Sequence, residues 1–100
     1  MKGKFYNQEA FYLELNRRIE GVDKAAHPFS ELGRIREIIL VNRKLDSQNP
    51  KLNQIIKELY KRQGDILFRG NNPSLATSYY SKAGMSDIEI QDYIRFLRQS

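Results

Sequence analysis

The stretch from Lys57 to Ala83 constrains the fold more than any other part of the chain. It shows two helical patterns joined by the short turn Gly70-Asn71-Asn72-Pro73. Large apolar residues alternate with small ones, and the small ones are Gly64, Ala76 and Ala83. Small residues at these places allow two helix backbones to approach closely and their side chains to interdigitate. The stretch therefore predicts a helical hairpin, a form that usually serves to bind another protein.

The size and composition of the chain indicate one small folded domain. A length of 100 residues suits a single domain, which we expect to span residues 1–100. Hydrophobic residues make up 40% of the chain and aromatic residues 11%, which is enough for a core and excludes a disordered tail. There is no cysteine, which excludes disulfides and thiol catalysis and fits a reducing compartment.

The polar character of the N-terminal residues bears on location. Asn7, Gln8 and Glu9 interrupt any apolar run that could form a signal peptide. No segment approaches the roughly 20 apolar residues of a membrane span. We therefore expect a soluble cytoplasmic chain with no membrane partner.

We predict an all-α fold, a compact stack or bundle of about five short helices, because helix-capping residues punctuate the chain and no segment has the pattern of a strand. The predicted caps are Asn7, Ser30, Asn49, Asn72 and Ser86, with Pro50 and Pro73 opening the third and fourth helices and Glu89 completing a capping box with Ser86. The expected ends are Ile19 with Gly21 beyond it, Leu45, Arg69 with Gly70 beyond it, and Gly84. The segment from Asp23 to Pro28 is expected to be a loop.

Apolar residues at three-four spacing predict which face of each helix is buried. The predicted core residues are Phe11, Leu15, Ile19, Val22, Leu32, Ile35, Ile38, Ile39, Leu45, Leu52, Ile55, Ile56, Leu59, Tyr60, Ile66, Leu67, Leu75, Ala76, Tyr80, Ala83, Ile90, Tyr93, Ile94 and Leu97. Leu40 and Val41 widen the apolar stripe of the second helix, so that helix should be buried on more than one side or contact a partner.

The hairpin resembles a tetratricopeptide repeat, a helix–turn–helix unit of about 34 residues. On the first helix, the aromatic, glycine and tyrosine places of that pattern are taken by Tyr60, Gly64 and Leu67. On the second helix, the Ala, aromatic and Ala places are taken by Ala76, Tyr80 and Ala83. The chain departs from the pattern at Gln63, where the family has Leu, and at Ile88, where it has Pro. An ordinary helical hairpin that solves the same packing problem remains the alternative.

The resemblance implies a set of partner-binding residues on the inner face of the first hairpin helix. They are Glu58, Lys61, Arg62, Asp65, Phe68 and Arg69. Tyr79 is added to this set because it is adjacent to Tyr80, just as Phe68 is adjacent to Leu67. One of two adjacent apolar residues should point away from a narrow core. The mixture of cations, carboxylates and an aromatic ring suits an acidic, partly apolar segment of a partner protein.

The net charge of +5 is concentrated in the middle of the chain. Between Arg34 and Arg69 there are nine basic and four acidic residues. Such a segment can attract nucleic acid or an acidic protein, or can simply be a solvated surface. Glu58 and Asp65 interrupt the basic surface of the third helix, which favours a protein partner. A nucleic-acid-binding accessory protein that uses residues 34–69 remains the alternative.

No set of residues predicts catalysis, a metal or a cofactor. His27 is the only histidine and lacks a second ligand or nucleophile nearby in the sequence. Asp87, Glu89 and Asp92 lie near a helix start, where the macrodipole explains their charge. We therefore expect a non-catalytic protein–protein interaction module, such as a small adaptor, an assembly factor or an inhibitor of a larger machine.

Overall fold

The structure, a computed structural model, describes Phe5 and residues 7–99. The described residues form five α-helices and no strand, so the predicted all-α fold of five helices is confirmed. The helices are α1 (Gln8–Gly21), α2 (Pro28–Val41), α3 (Lys51–Arg69), α4 (Pro73–Lys82) and α5 (Asp87–Arg98), with short 3₁₀ helices at Val22–Lys24 and Arg43–Asp46.

The chain divides into two compact units, Met1–Ile56 and Lys57–Ser100, and the boundary falls within α3. In the first unit, α1 begins as predicted, because the Asn7 side chain accepts a hydrogen bond from the Ala10 N–H at 2.8 Å. The core of this unit contains the predicted residues Phe11, Leu15, Val22, Leu32, Ile35, Ile39 and Leu52, all buried. Leu40 is 51% exposed, so α2 is not buried on this side, and contact with a partner stays a prediction.

The predicted bounds of α2 are wrong at both ends. The helix begins at Pro28 and not after Ser30, and His27 caps it without a side-chain hydrogen bond. Proline suits the first helical position because its fixed φ matches the helix. It lacks an N–H group, but an N–H at this position has no hydrogen-bond partner within the helix. The helix ends at Val41 and not at Leu45, because the buried side chain of Asn42 donates to the Ile38 carbonyl at 2.8 Å and accepts from the Phe5 N–H at 2.8 Å.

A triangle of hydrogen bonds holds the entry to α3 in the first unit. The Tyr12 hydroxyl donates to Asp46 at 2.7 Å, and the Asn49 amide donates to both of them at 2.9 Å. These bonds lower the pKa of the Asp46 carboxyl below its usual range. The Asn49 oxygen also accepts from the Lys51 N–H at 2.9 Å, so Asn49 supports the helix start as predicted, with Pro50 one residue before the first helical position.

In the second unit, the α3–α4 connection reverses the chain in three residues. Asn71 has a positive φ of 64°, so the left-handed residue is Asn71 and not Gly70. The N–H of Asn71 donates to the Phe68 carbonyl at 3.2 Å, and the N–H of Asn72 donates to the Leu67 carbonyl at 2.9 Å. The Asn72 side chain then accepts from the Leu75 N–H at 3.4 Å, so this residue both closes α3 and caps α4.

The end of α4 and the start of α5 follow the sequence prediction closely. Gly84 adopts a φ of 87°, and the Met85 N–H donates to the Tyr80 carbonyl at 3.2 Å. The predicted capping box is present, with the Ser86 N–H donating to Glu89 at 2.9 Å and the Glu89 N–H donating to the Ser86 hydroxyl at 3.2 Å. The core of the unit consists of Ala76, Tyr80, Ile90 and Ile94, against which Leu67, Phe68, Met85, Tyr93 and Leu97 pack partly buried.

Candidate functional site

Gly64 of α3 and the Tyr80 ring of α4 are in close contact in the second unit. A Cβ atom on Gly64 would lie 2.6 Å from Cε1 of the Tyr80 ring, a separation that no side chain tolerates. The ring is fully buried in this position, and its hydroxyl donates to the Asp65 carboxylate at 2.7 Å. The sequence pattern predicted that Gly64 allows a helix backbone to approach α3. In the structure, the absence of a side chain at Gly64 also allows the Tyr80 ring to lie against α3.

Asp65 connects α3 by hydrogen bonds to both α4 and α5. Its Oδ1 atom accepts from the Tyr80 hydroxyl of α4 and, at 2.9 Å, from the Tyr93 hydroxyl of α5. The two rings meet edge to face, with centroids 5.2 Å apart. Burial and the bond to Asp65 raise the pKa of Tyr93 to about 12 and raise the pKa of Tyr80 well above its usual range. Asp65, predicted to face a partner, thus has a role inside the unit.

Two other predicted partner-binding residues, Lys61 and Tyr79, also contact a neighbouring helix of the second unit. The Lys61 ammonium lies 4.6 Å from the centre of the Tyr93 ring, which is a cation–π contact. Tyr79 is half-buried and meets Tyr60 edge to face at 6.1 Å, with the Lys82 ammonium 5.0 Å from its ring centre. Of the remaining predicted residues, Arg62 is half-buried, and Glu58 and Arg69 are exposed.

The prediction that Phe68 is exposed is wrong. Phe68 is half-buried and packs against the core of the second unit. The Arg98 guanidinium of α5 lies 6.0 Å from the centre of its ring. The physical reason is that α5 lies along α3 and brings its own apolar residues to the side of α3 that carries Phe68. The order of Leu67 and Phe68 in the sequence does not reveal this packing.

Phe68 and Arg69 line a surface hollow together with Asn71 and Leu97. We call it the α3–α5 hollow; its volume is about 460 Å³. Sequence reasoning identified Phe68 and Arg69 but missed the other two, because Asn71 was assigned only to the turn and Leu97 only to the core. The positions of Asn71 and Leu97 in the sequence do not indicate a shared site, because the hollow forms only where the end of α5 meets the end of α3.

The chemistry of the α3–α5 hollow combines apolar and cationic groups. Phe68 and Leu97 supply apolar surface, Arg69 supplies a guanidinium group, and Asn71 supplies an amide. Among the described residues that line the hollow, none is acidic. A guanidinium group with planar donors is well suited to a carboxylate. The hollow can therefore receive an apolar side chain that has a carboxylate close to it.

Within residues 7–99 and Phe5, no group of three or more acidic, histidine or cysteine side chains is arranged to hold a metal ion. In the same part of the chain, no helix combines the length and the apolar character needed to cross a bilayer.

Comparisons of the chain with known protein families, with curated proteins and with solved structures find no match, so the resemblance to a tetratricopeptide repeat stays a prediction.

Proposed function

We propose that this chain is a non-catalytic protein-binding module that uses the α3–α5 hollow to hold an acidic, partly apolar segment of a partner protein. The observation that carries the proposal is the juxtaposition of Phe68, Arg69 and Leu97 around one hollow. Two of these residues come from one helix and the third from another, so the hollow exists only in the folded unit.

The size of the hollow limits what it holds. A volume of about 460 Å³ lies toward the lower end of the range of about 300–1,000 Å³ typical of ligand sites. That space suits one or two side chains of a peptide, with the rest of the segment lying on the surrounding surface. An apolar side chain would lie between Phe68 and Leu97, and a neighbouring carboxylate would bind Arg69.

The charge around the hollow supports an acidic partner over a basic one. Arg98 contacts the Phe68 ring and adds a second guanidinium group beside the one that lines the hollow. Asp65 of α3 does not line the hollow, and its carboxylate accepts hydrogen bonds from two tyrosine hydroxyls. Opposite charges across an interface favour encounter and suppress wrong partners, so an acidic segment is selected.

Binding to synthetic peptides tests the proposal. The probe set contains peptides with Leu or Phe flanked by Asp and Glu, the same peptides with Asn and Gln at the acidic positions, and the same peptides with Ser at the apolar position. We expect binding only to members that are both acidic and apolar, measured by fluorescence anisotropy. Equal binding to the acidic and the amide peptides, or no binding to any member, contradicts the proposal.

Variants locate the binding surface. Because an Arg or aromatic anchor often contributes 2 kcal/mol or more to binding, Arg69→Ala and Phe68→Ala should each weaken the affinity about tenfold or more. Arg34→Ala, an exposed arginine of α2, is the matched control and should bind like the wild type. Circular dichroism checks that both variants are folded, and the exposed Arg69 gives a second result that does not involve removing a ring packed against the core. Unchanged affinity in folded Arg69→Ala would place the binding surface elsewhere.

A further inference from the structure

The outer face of α5 carries four strongly exposed residues that the proposed function does not use. Ile88 and Phe96 are 76% and 62% exposed. Asp92 and Arg95 form an exposed ion pair at 3.5 Å, with side-chain exposures of 66% and 72%. We call these four residues the α5 face. It is separate from the α3–α5 hollow, to which α5 contributes Leu97.

Helix geometry places the four residues on one side of α5. At about 100° per residue they fall within a sector of roughly 100°, away from the buried Ile90 and Ile94. Ile88 and Phe96 lie eight residues apart, which is about 12 Å along the axis, and the charged pair lies between them. The Phe96 ring is supported by the ring of Tyr93, which stacks on it at 6.3 Å and 20°. The face is therefore a short apolar–charged–apolar pattern.

This pattern is complementary to itself when one copy is turned end for end. In an antiparallel pairing centred near Asp92, Ile88 of each copy lies opposite Phe96 of the other. The two Asp92 carboxylates then lie near the two-fold axis, and Arg95 of each copy, three residues or about 4.5 Å further along its helix, reaches Asp92 of the other, so that two bases flank the two acids. A two-fold interface requires that residue i contact j while j contacts i, and both pairs meet this condition. We infer that two copies of this chain associate through the α5 face.

The expected dimer is weak and reversible. A helix of 12 residues is about 18 Å long, so the contact is smaller than the roughly 1,200 Å² of stable interfaces. The exposed ion pairs contribute little affinity and mainly select the antiparallel arrangement, while Ile88 and Phe96 supply the apolar burial. Association should therefore be detectable only at high protein concentration.

Analytical ultracentrifugation of the whole chain tests this inference. Between about 10 µM and about 1 mM protein, the average mass should rise from the 11.8 kDa of one chain toward twice that value. Ile88→Asp and Phe96→Asp should remain monomeric over the same range. Leu13→Asp is the matched control, because Leu13 is 74% exposed on α1, and it should associate like the wild type.

A charge exchange tests the antiparallel arrangement. Asp92→Arg brings four cations together and should weaken association about fivefold or more. The double variant Asp92→Arg with Arg95→Asp restores two acids and two bases at the interface, with their places exchanged, and should recover the wild-type constant. A wild type that stays monomeric at about 1 mM, or a dimer that Phe96→Asp leaves intact, would overturn the inference. Failure of the double variant to recover association would overturn the antiparallel pairing.

Discussion

At the scale of single residues, the contact between Gly64 and Tyr80 determines how the second unit packs. The absence of a side chain at Gly64 lets the buried ring lie against α3, and the ring in turn carries its hydroxyl to Asp65. A hydrogen bond between buried groups is costly to break, because the donor or acceptor left behind has lost its contact with water. Gly64, Tyr80 and Asp65 therefore act together, and a change at the glycine should disturb the other two.

Gly64→Ala should destabilise the protein by about 1–3 kcal/mol. The new Cβ would meet the Tyr80 ring at 2.6 Å and 2.9 Å, and the ring is fully buried and has little room to move. Urea unfolding measures the change. Gly21→Ala is the control, since a Cβ there meets nothing within 4 Å, and alanine favours the helix by up to about 1 kcal/mol. Equal stability of the two variants would show that Tyr80 does not lie against Gly64.

The raised pKa of Tyr93 predicts a specific loss of stability in alkali. Its pKa is about 12 in the folded chain and about 10 when unfolded, so its contribution is complete below pH 10 and is lost as the pH rises through 12. Tyr93→Phe removes that titration together with the bond to Asp65. The variant should be less stable than the wild type at about pH 8 but should lose less stability between about pH 8 and about pH 11.

Urea unfolding at the two pH values measures this difference. A wild type and a Tyr93→Phe variant that lose equal stability over this interval would contradict the assignment of a raised pKa to Tyr93.

At the scale of elements, helix starts were predictable where the capping chemistry is local. Asn7, Asn72 and Ser86 bond to N–H groups three residues ahead, so the sequence alone contains the whole interaction. The start of α2 has a local signal, because proline favours the first helical position, but the end of α2 has none. Its end depends on Asn42, which is buried and bonds to Phe5, a residue 37 positions away. A buried side chain with a distant partner gives no local signal.

The turn between α3 and α4 depends on one residue with a positive φ. Asn71 has a φ of 64°, and asparagine tolerates this conformation better than residues with longer or branched side chains. Asn71→Ala should therefore lower the free energy of unfolding by about 1 kcal/mol, while Asn71→Gly should retain or increase it. Thermal unfolding of the two variants measures this. Asn71→Gly also removes the amide from the α3–α5 hollow, so its peptide affinity reports separately on that group.

At the scale of the whole molecule, the candidate site was only partly readable from the sequence. The tetratricopeptide resemblance indicated one face of α3, and part of that face does line the α3–α5 hollow. The same face also receives α5, which engages Lys61 through Tyr93 and Asp65 through the Tyr93 hydroxyl. Helical periodicity predicts that α5 has a buried face but not against which helix it packs, so the hollow could not be placed in advance.

The distribution of charge over the whole chain leads to the last prediction. Of the nine basic residues between Arg34 and Arg69, several contact other residues of the same chain. Arg34 lies 3.8 Å from Glu31, Arg43 donates to Asn53, and Lys61 lies over Tyr93. In the second unit, seven basic residues are interspersed with five acidic ones, so no strongly basic surface is expected there.

Affinity for nucleic acid should therefore be weak at physiological salt. Binding that neutralises several phosphates falls steeply with salt, by about 10³–10⁵ between 50 and 200 mM when six to ten phosphates are contacted. For a random single-stranded oligonucleotide we expect a dissociation constant above about 100 µM at physiological salt and only a shallow salt dependence. Fluorescence anisotropy at several salt concentrations measures both. Submicromolar binding that is lost steeply between 50 and 200 mM salt would instead support a nucleic-acid-binding protein that uses residues 34–69. Such a steep salt dependence requires a cluster of cations that contact several phosphates.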